Sequence, residues 1–248
     1  MRIDTESTYY FKARKELLEW CNEMTAEPSI FTSATRNLQR RINKAIPERI
    51  HQVVTKAVKE TTKTVITGSA KFTKSTTKSE DFRKVEDDVR KRIEFYANSS
   101  ATEGAITGFG GFVSGLADFP LWLSLKMKML FEIASIYGFD INDYRERLYI
   151  LHIFQITFSA PDTRKQLFIT MKDWDTHASD LPGYNDFDWK RFQLEYRDHI
   201  DLAKLIQLIP GFGAIAGALV NHKYTNRLGE YAMNCYRMRF DTFQADLT

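Results

Sequence analysis

Six side chains in this sequence are the candidates for moving protons in catalysis: Asp118, Asp140, Glu146, His152, His177 and His222. Asp118 stands apart, because it is the only charge between Ala105 and Leu125. A carboxylate in an apolar run must be hydrogen-bonded or shifted upward in pKa, the condition under which carboxyls act as acids and bases. Two positions before Pro120, the same side chain can instead take up backbone N–H groups beside the proline. Asp140 is the second carboxylate that a hydrolytic site would use. His152 falls in the most apolar helical stretch, where a hydrogen-bonded core histidine is the simpler account. There is no G-x-S-x-G and no H-E-x-x-H, and no nucleophile is spaced to meet a base. Asp118, Asp140 and His152 therefore stand as catalytic candidates without a named reaction.

Cysteine chemistry is sparse. Cys21 and Cys235 lie near opposite ends of the chain, without the spacing or partners of a metal site or a disulfide framework. Both fall in helical patterns and read as buried free thiols. The run GFGAIAG, Gly211 to Gly217, approaches a dinucleotide fingerprint, but a helical pattern precedes it where that motif needs a strand. No cofactor or metal is expected.

The glycines carry more information. Gly104 and Gly108, Gly111 and Gly115, and Gly213 and Gly217 stand four apart, so each pair shares a helix face and admits another backbone closely. They lie in or beside two apolar runs, Ala105 to Leu125 with 21 residues and Leu205 to Asn221 with 17. A membrane span needs about 20 residues. Asp118, Pro120 and the break at Pro210-Gly211 oppose spanning. Three readings stay open: buried helices crossing closely through glycine, shallow or conditional membrane insertion, or true spans.

Charge is unevenly placed. The net +3 combines +9 between Arg36 and Lys78, where eleven Lys/Arg face two Glu, with −6 elsewhere. That basic segment has Phe72 as its only Phe, Tyr or Trp and no helix-turn-helix or zinc pattern, so nucleic acid is not the expected partner. An anionic membrane surface suits it better, with Lys59, Lys63, Lys71, Lys74 and Lys78 as contact residues. A solvated helix face is the plain alternative. The first residues contain no apolar run of signal type, which predicts a reducing, cytoplasmic setting.

Positioning these residues falls to helices. A mean hydropathy of −0.38 argues against a polytopic membrane protein, and 12 Gly with 6 Pro is sparse for a loop-rich fold. Ser7 to Met24 predicts a helix with Tyr10, Phe11, Leu17, Leu18, Cys21 and Met24 on its apolar side. A second is expected from Ser33 to Ile46 and a third from Pro47, fading through Thr61 to Lys78 into weak helix or loop. Ser79 is the expected cap of a helix bearing the stripe Phe82, Val85, Val89, Ile93 and Tyr96. Ser100 to Glu103 reads as a capping box opening a new helix, which Pro120 kinks or restarts and Gly138 ends. Arg145 to Ser159, Pro161 to Trp174, Asp188 to Ile209 and Phe212 to Phe240 complete the set. The fold class is all-α, one domain over residues 1–248.

The run ending in Asp118-Phe119-Pro120, then Tyr137-Gly138-Phe139-Asp140 and Glu146-Arg147, resembles the bacterial EcsC protein family. So do Ile209-Pro210-Gly211-Phe212-Gly213, Asn221 and Tyr236-Arg237-Met238-Arg239. The resemblance covers roughly Phe82 to Phe240. It implies a helical, membrane-associated protein from a family named for a gene beside those of an ABC transporter. It implies no established reaction. The expected function is therefore non-enzymatic binding of an anionic lipid surface or a membrane transporter complex. A hydrolase around Asp118 and Asp140, or a soluble interaction scaffold, are the alternatives.

Overall fold

The stripe Phe82, Val85, Val89, Ile93 and Tyr96 does form one helix face, and all five side chains are buried. The computed structural model describes residues 5–26, 48–67, 81–108, 111–186, 188, 217–240 and 243, and among them regular structure is helical. The helices are α1 (Thr5–Thr25), α2 (Glu48–Thr67), α3 (Phe82–Gly108), α4 (Gly111–Ile136), α5 (Tyr144–Phe158), α6 (Pro161–Lys172), α7 (Trp174–Ser179) and α8 (Gly217–Arg237). The fold is all-α. The expected helices Ser33 to Ile46 and Asp188 to Ile209 lie outside the described residues.

α8 runs along α3 in the most extensive helix contact of the fold, and α4 packs against α3. α2 lies on α4 and α5, while α1 crosses toward α6, α8 and α3. α5 is apolar nearly all round, and its buried residues include Leu148, Ile150, Leu151, Ile153, Phe154, Ile156 and Phe158. Asp143 caps it, its side chain accepting from the Arg145 N–H. One cluster of buried apolar side chains runs from Ala13 on α1 through every helix to Cys235 on α8.

The close α3–α8 approach depends on Gly229. A Cβ there would lie 2.5 to 2.7 Å from Cγ1, Cδ1 and Cγ2 of Ile93, inside hard contact. Gly229 is absent from the four-apart pairs that spacing singles out. Of those, Gly104 and Gly108 fall in the last turns of α3, Gly111 and Gly115 in the first turns of α4, and Gly217 begins α8. Gly213 lies outside the described residues.

Several local expectations are corrected. α3 passes without interruption through the supposed capping box at Ser100. Nearby polar groups are absorbed within the helix: the Ser99 hydroxyl donates to the Phe95 carbonyl at 2.8 Å. The start of α3 is capped by Asp81, whose carboxylate accepts from the Lys84 N–H at 3.1 Å. α4 continues through Pro120, which is exposed. α2 persists to Thr67 despite its threonines. Thr62 and Thr64 donate back to Val58 and Glu60, and Val65 is anchored in the core. Phe11, expected on the apolar face of α1, is 66% exposed. α6 stops at Lys172, and Trp174 begins the separate α7, its side chain buried.

Candidate functional site

α2 has two unlike faces, set by the 3.6-residue helical period. Val54, Ala57, Val58, Thr62 and Val65 are buried toward the body of the protein. Lys56, Lys59 and Lys63 are exposed, and spacings of three and four residues put them on one outward stripe. Lys71, Lys74 and Lys78 lie outside the described residues.

A groove of about 440 Å³ opens between α2 and α4. Val53, Ala57 and Val65 form its α2 wall and Pro120 and Met127 its α4 wall, with Lys56, Glu60, Thr61, Thr64 and Ser124 also lining it. Two of its hydroxyls bond their own helices: Thr64 donates to the Glu60 carbonyl at 2.9 Å and Ser124 to the Pro120 carbonyl at 2.8 Å. Beside it on α4, Leu121 is 58% exposed. An apolar slot thus sits next to a basic stripe.

On the other side of α4, charge is buried. Gly138, at φ 86°, ends the helix in the left-handed region, with Phe139 N–H bonded to Ala134 and Gly138 N–H to Ser135. This turn delivers Tyr137 to one ion network and Phe139 to another.

In the first network, Arg237 donates from Nε and Nη2 to the two Glu86 carboxylate oxygens, both at 2.6 Å. Its Nη1 bonds Glu16 and Asn234, each at 3.0 Å. Tyr9 and Tyr137 hydroxyls donate to the same Glu86 carboxylate at 2.6 and 3.1 Å. Burial, then the bond and charge of Glu86, push the Tyr9 phenol up to about 12. Tyr137 is raised for the same reasons. Burial by itself would weaken the proton on Arg237, but Glu86 outweighs it and holds the guanidinium above its ordinary pKa.

In the second network, Arg239 donates to Glu146 at 2.7 Å and grips Asp175 on α7 through Nε and Nη2. Its guanidinium carbon lies 4.0 Å from the Phe139 ring centre and 4.6 Å from that of Tyr149. The Tyr236 hydroxyl donates to the other Glu146 oxygen at 2.7 Å. Burial raises the Glu146 carboxyl, while Arg239 and Tyr236 pull it back down. Tyr137 and Tyr236 stack at 5.3 Å, so the networks share a wall. Chemically, both bind helices together, with buried charges carrying partners on several sides.

The proton-moving candidates fall in separate settings. Asp118 lies in α4, with its side chain outside those described. Asp140 is exposed and accepts from both the backbone and side-chain N–H groups of Asn142, an Asx turn. His152 contacts Gln155 at 3.0 Å and lies edge-on to Trp174, matching a satisfied, partly buried histidine. His222 contacts Asn226, and His177 is exposed beside Trp174. Among the described residues no group of three or more His, Cys, Asp or Glu is placed to hold a metal ion. Cys21 and Cys235 are free and buried, and burial pushes the Cys21 thiol up to about 11.

The residues carrying the family resemblance are therefore largely architectural in place. Tyr137, Gly138, Glu146, Arg237 and Arg239 build the networks, and Asn221 accepts from the Trp122 indole at 2.6 Å. Pro120 lines the groove, while Pro210 and Gly213 lie outside the described residues. Glu86, Glu16, Tyr9 and Asp175 escape sequence reasoning. The one local signal for Glu86 is an acid inside the apolar stripe, directly after Val85.

Comparison with known proteins agrees with the resemblance. The EcsC protein family matches residues 12–240. Protein EcsC of Bacillus subtilis (strain 168) is 41% identical over 226 residues, covering 91% of this chain and 93% of that protein. Uncharacterized protein YdbA of the same organism is 32% identical over 148 residues, 57% of this chain and 53% of its own length. No solved structure matches the chain.

Proposed function

We propose, from the premise that this chain belongs to the EcsC protein family, that it binds the surface of an anionic membrane leaflet through α2 and the adjoining edge of α4. One observation carries this reading: the exposed stripe Lys56, Lys59 and Lys63 lies on the helix that shares a groove with Pro120, next to the exposed Leu121. A lysine near an anionic leaflet contributes about 1 kcal/mol. An exposed leucine adds apolar area that can enter the headgroup boundary. The attachment proposed is peripheral; among the described residues no helix is long and apolar enough to cross a membrane. Such a leaflet on the cytoplasmic side is the setting in which this charge pattern works.

Cosedimentation of the full chain with vesicles tests it. Vesicles rich in phosphatidylglycerol should pellet the protein at low salt and release most of it as the Debye length shrinks from about 10 Å at 0.1 M toward 3 Å at 1 M. Reversing Lys56, Lys59 and Lys63 to Glu should weaken binding by about 1 kcal/mol per lysine removed or more. The same variant should keep its fold, each exposed position changing stability within about 0.5 kcal/mol. Equal binding to neutral and anionic vesicles, or none to either, sinks the reading. Capture of a membrane transporter complex without lipid dependence would favour the scaffold alternative. Turnover in a hydrolase screen, lost in Asp118→Asn or Asp140→Asn, would replace both.

A further inference from the structure

We infer that the α2–α4 groove takes one acyl chain of an anionic phospholipid, with the lipid phosphate met at the rim by Lys56; this rests on the membrane reading above. The groove walls are hydrocarbon from both sides, Val53, Ala57 and Val65 facing Pro120 and Met127. The Ser124 hydroxyl is spent on its own helix, which leaves little polar demand on that wall. A chain entering here replaces water against apolar surface, the favourable step for a lipid tail.

The setting of the groove narrows the occupant. It opens beside the exposed Leu121 and the lysine stripe through which the chain is proposed to meet a membrane, so a lipid chain is the apolar group brought to it.

Charge sets the head group. Lys56 lines the groove itself, and Lys59 and Lys63 continue the positive edge along the exposed stripe of α2. Glu60 also lines the groove one helical turn from Lys56 and offsets part of its charge, so the positive balance comes from Lys56 together with Lys59 and Lys63. Leu121, exposed on α4 beside Pro120, extends the apolar surface outward from the slot. A lipid lifted partly from the leaflet keeps its second chain on that side.

The test uses the full chain and dioctanoyl phosphatidylglycerol below its micellar concentration, read by isothermal titration. Saturable one-to-one binding is expected, weakened about tenfold or more by Ser124→Phe, which fills the groove from its exposed side, and by Lys56→Glu. Dioctanoyl phosphatidylcholine should bind at least about tenfold more weakly. Salt should still release Ser124→Phe from anionic vesicles, because the lysine stripe is intact. Thr64→Leu, narrowing the opposite wall, is the second variant should Ser124→Phe fail to fold. Wild-type affinity in both filled variants overturns the groove. Equal affinity for the choline lipid overturns the role of Lys56, and equal affinity for free octanoate overturns a bilayer source. Vesicle pelleting that fails while monomeric lipid binding persists would retire the membrane reading and keep the groove.

Discussion

At the α3–α8 crossing, Arg237 is 2% exposed and meets a Glu86 that is 0% exposed. At the α2–α4 edge, Lys56, Lys59 and Lys63 are exposed on one helix stripe. The same sign of charge thus does two different jobs. A buried guanidinium is costly unless its fork is matched, and here Nε and Nη2 meet both carboxylate oxygens while Nη1 finds Glu16 and Asn234. Lysine ammoniums on an exposed stripe stay hydrated, add little to stability, and remain able to meet a charged surface. The contrast separates the residues that specify the fold from those proposed to meet a partner.

The sharpest way to break this contrast is Arg237→Met. Removing one partner of a buried pair leaves Glu86 only the longer ionic contact to half-exposed Arg90 at 3.8 Å, at a cost of about 3–5 kcal/mol. Thermal and urea unfolding should show a loss of that size, and adding Glu86→Gln should return part of it. Lipid-vesicle pelleting of the fraction still folded should not change. A loss no larger than that from reversing an exposed lysine would erase the distinction between the two regions.

Gly229→Ala tests the same crossing through packing. Its Cβ would meet the branched Ile93 side chain at 2.5 to 2.7 Å, and β-branched chains have little rotamer freedom with which to retreat. The expected cost is about 1–3 kcal/mol. Ile93→Ala alone should also destabilise, yet the double variant should be more stable than the two single losses added together. Simple additivity would mean that α8 shifts away from α3 as a body.

The smallest effect is expected in pH. Tyr9, Tyr137 and Tyr236 donate to the buried carboxylates, and their phenols are raised above the ordinary value of 10.0 by burial and by those charges. A group whose folded pKa is raised contributes stability that is complete below its unfolded pKa and lost as pH climbs through the folded one. For Tyr9 that window runs from 10.0 to about 12. Melting temperature should therefore hold to about pH 10 and decline beyond it. Tyr9→Phe should flatten the decline. An unchanged slope would remove Tyr9 from the network's alkaline sensitivity.

What could be read from the chain alone was whatever depends on near neighbours. The period of Phe82, Val85, Val89, Ile93 and Tyr96 specified a helix and its buried face, because helical period is a property of consecutive residues. Gly138 as a helix end was legible for the same reason. Local signals misled where packing outvoted them. Ser100 to Glu103 has the chemistry of a helix start, yet α3 carries through it, and the threonines of α2 stay helical because Val65 is held in the core.

The buried networks belong wholly to tertiary structure. Glu86 and Arg237 stand 151 positions apart, and no pattern around either one announces the other. Gly229 resembles any glycine inside a helix until α3 arrives with Ile93. The α2–α4 groove likewise exists only once two helices distant in sequence lie side by side, since both contribute to its walls. Sequence determined which faces must be hidden. Which charges meet within them, and which slot stays open at the edge, was decided by how the helices cross.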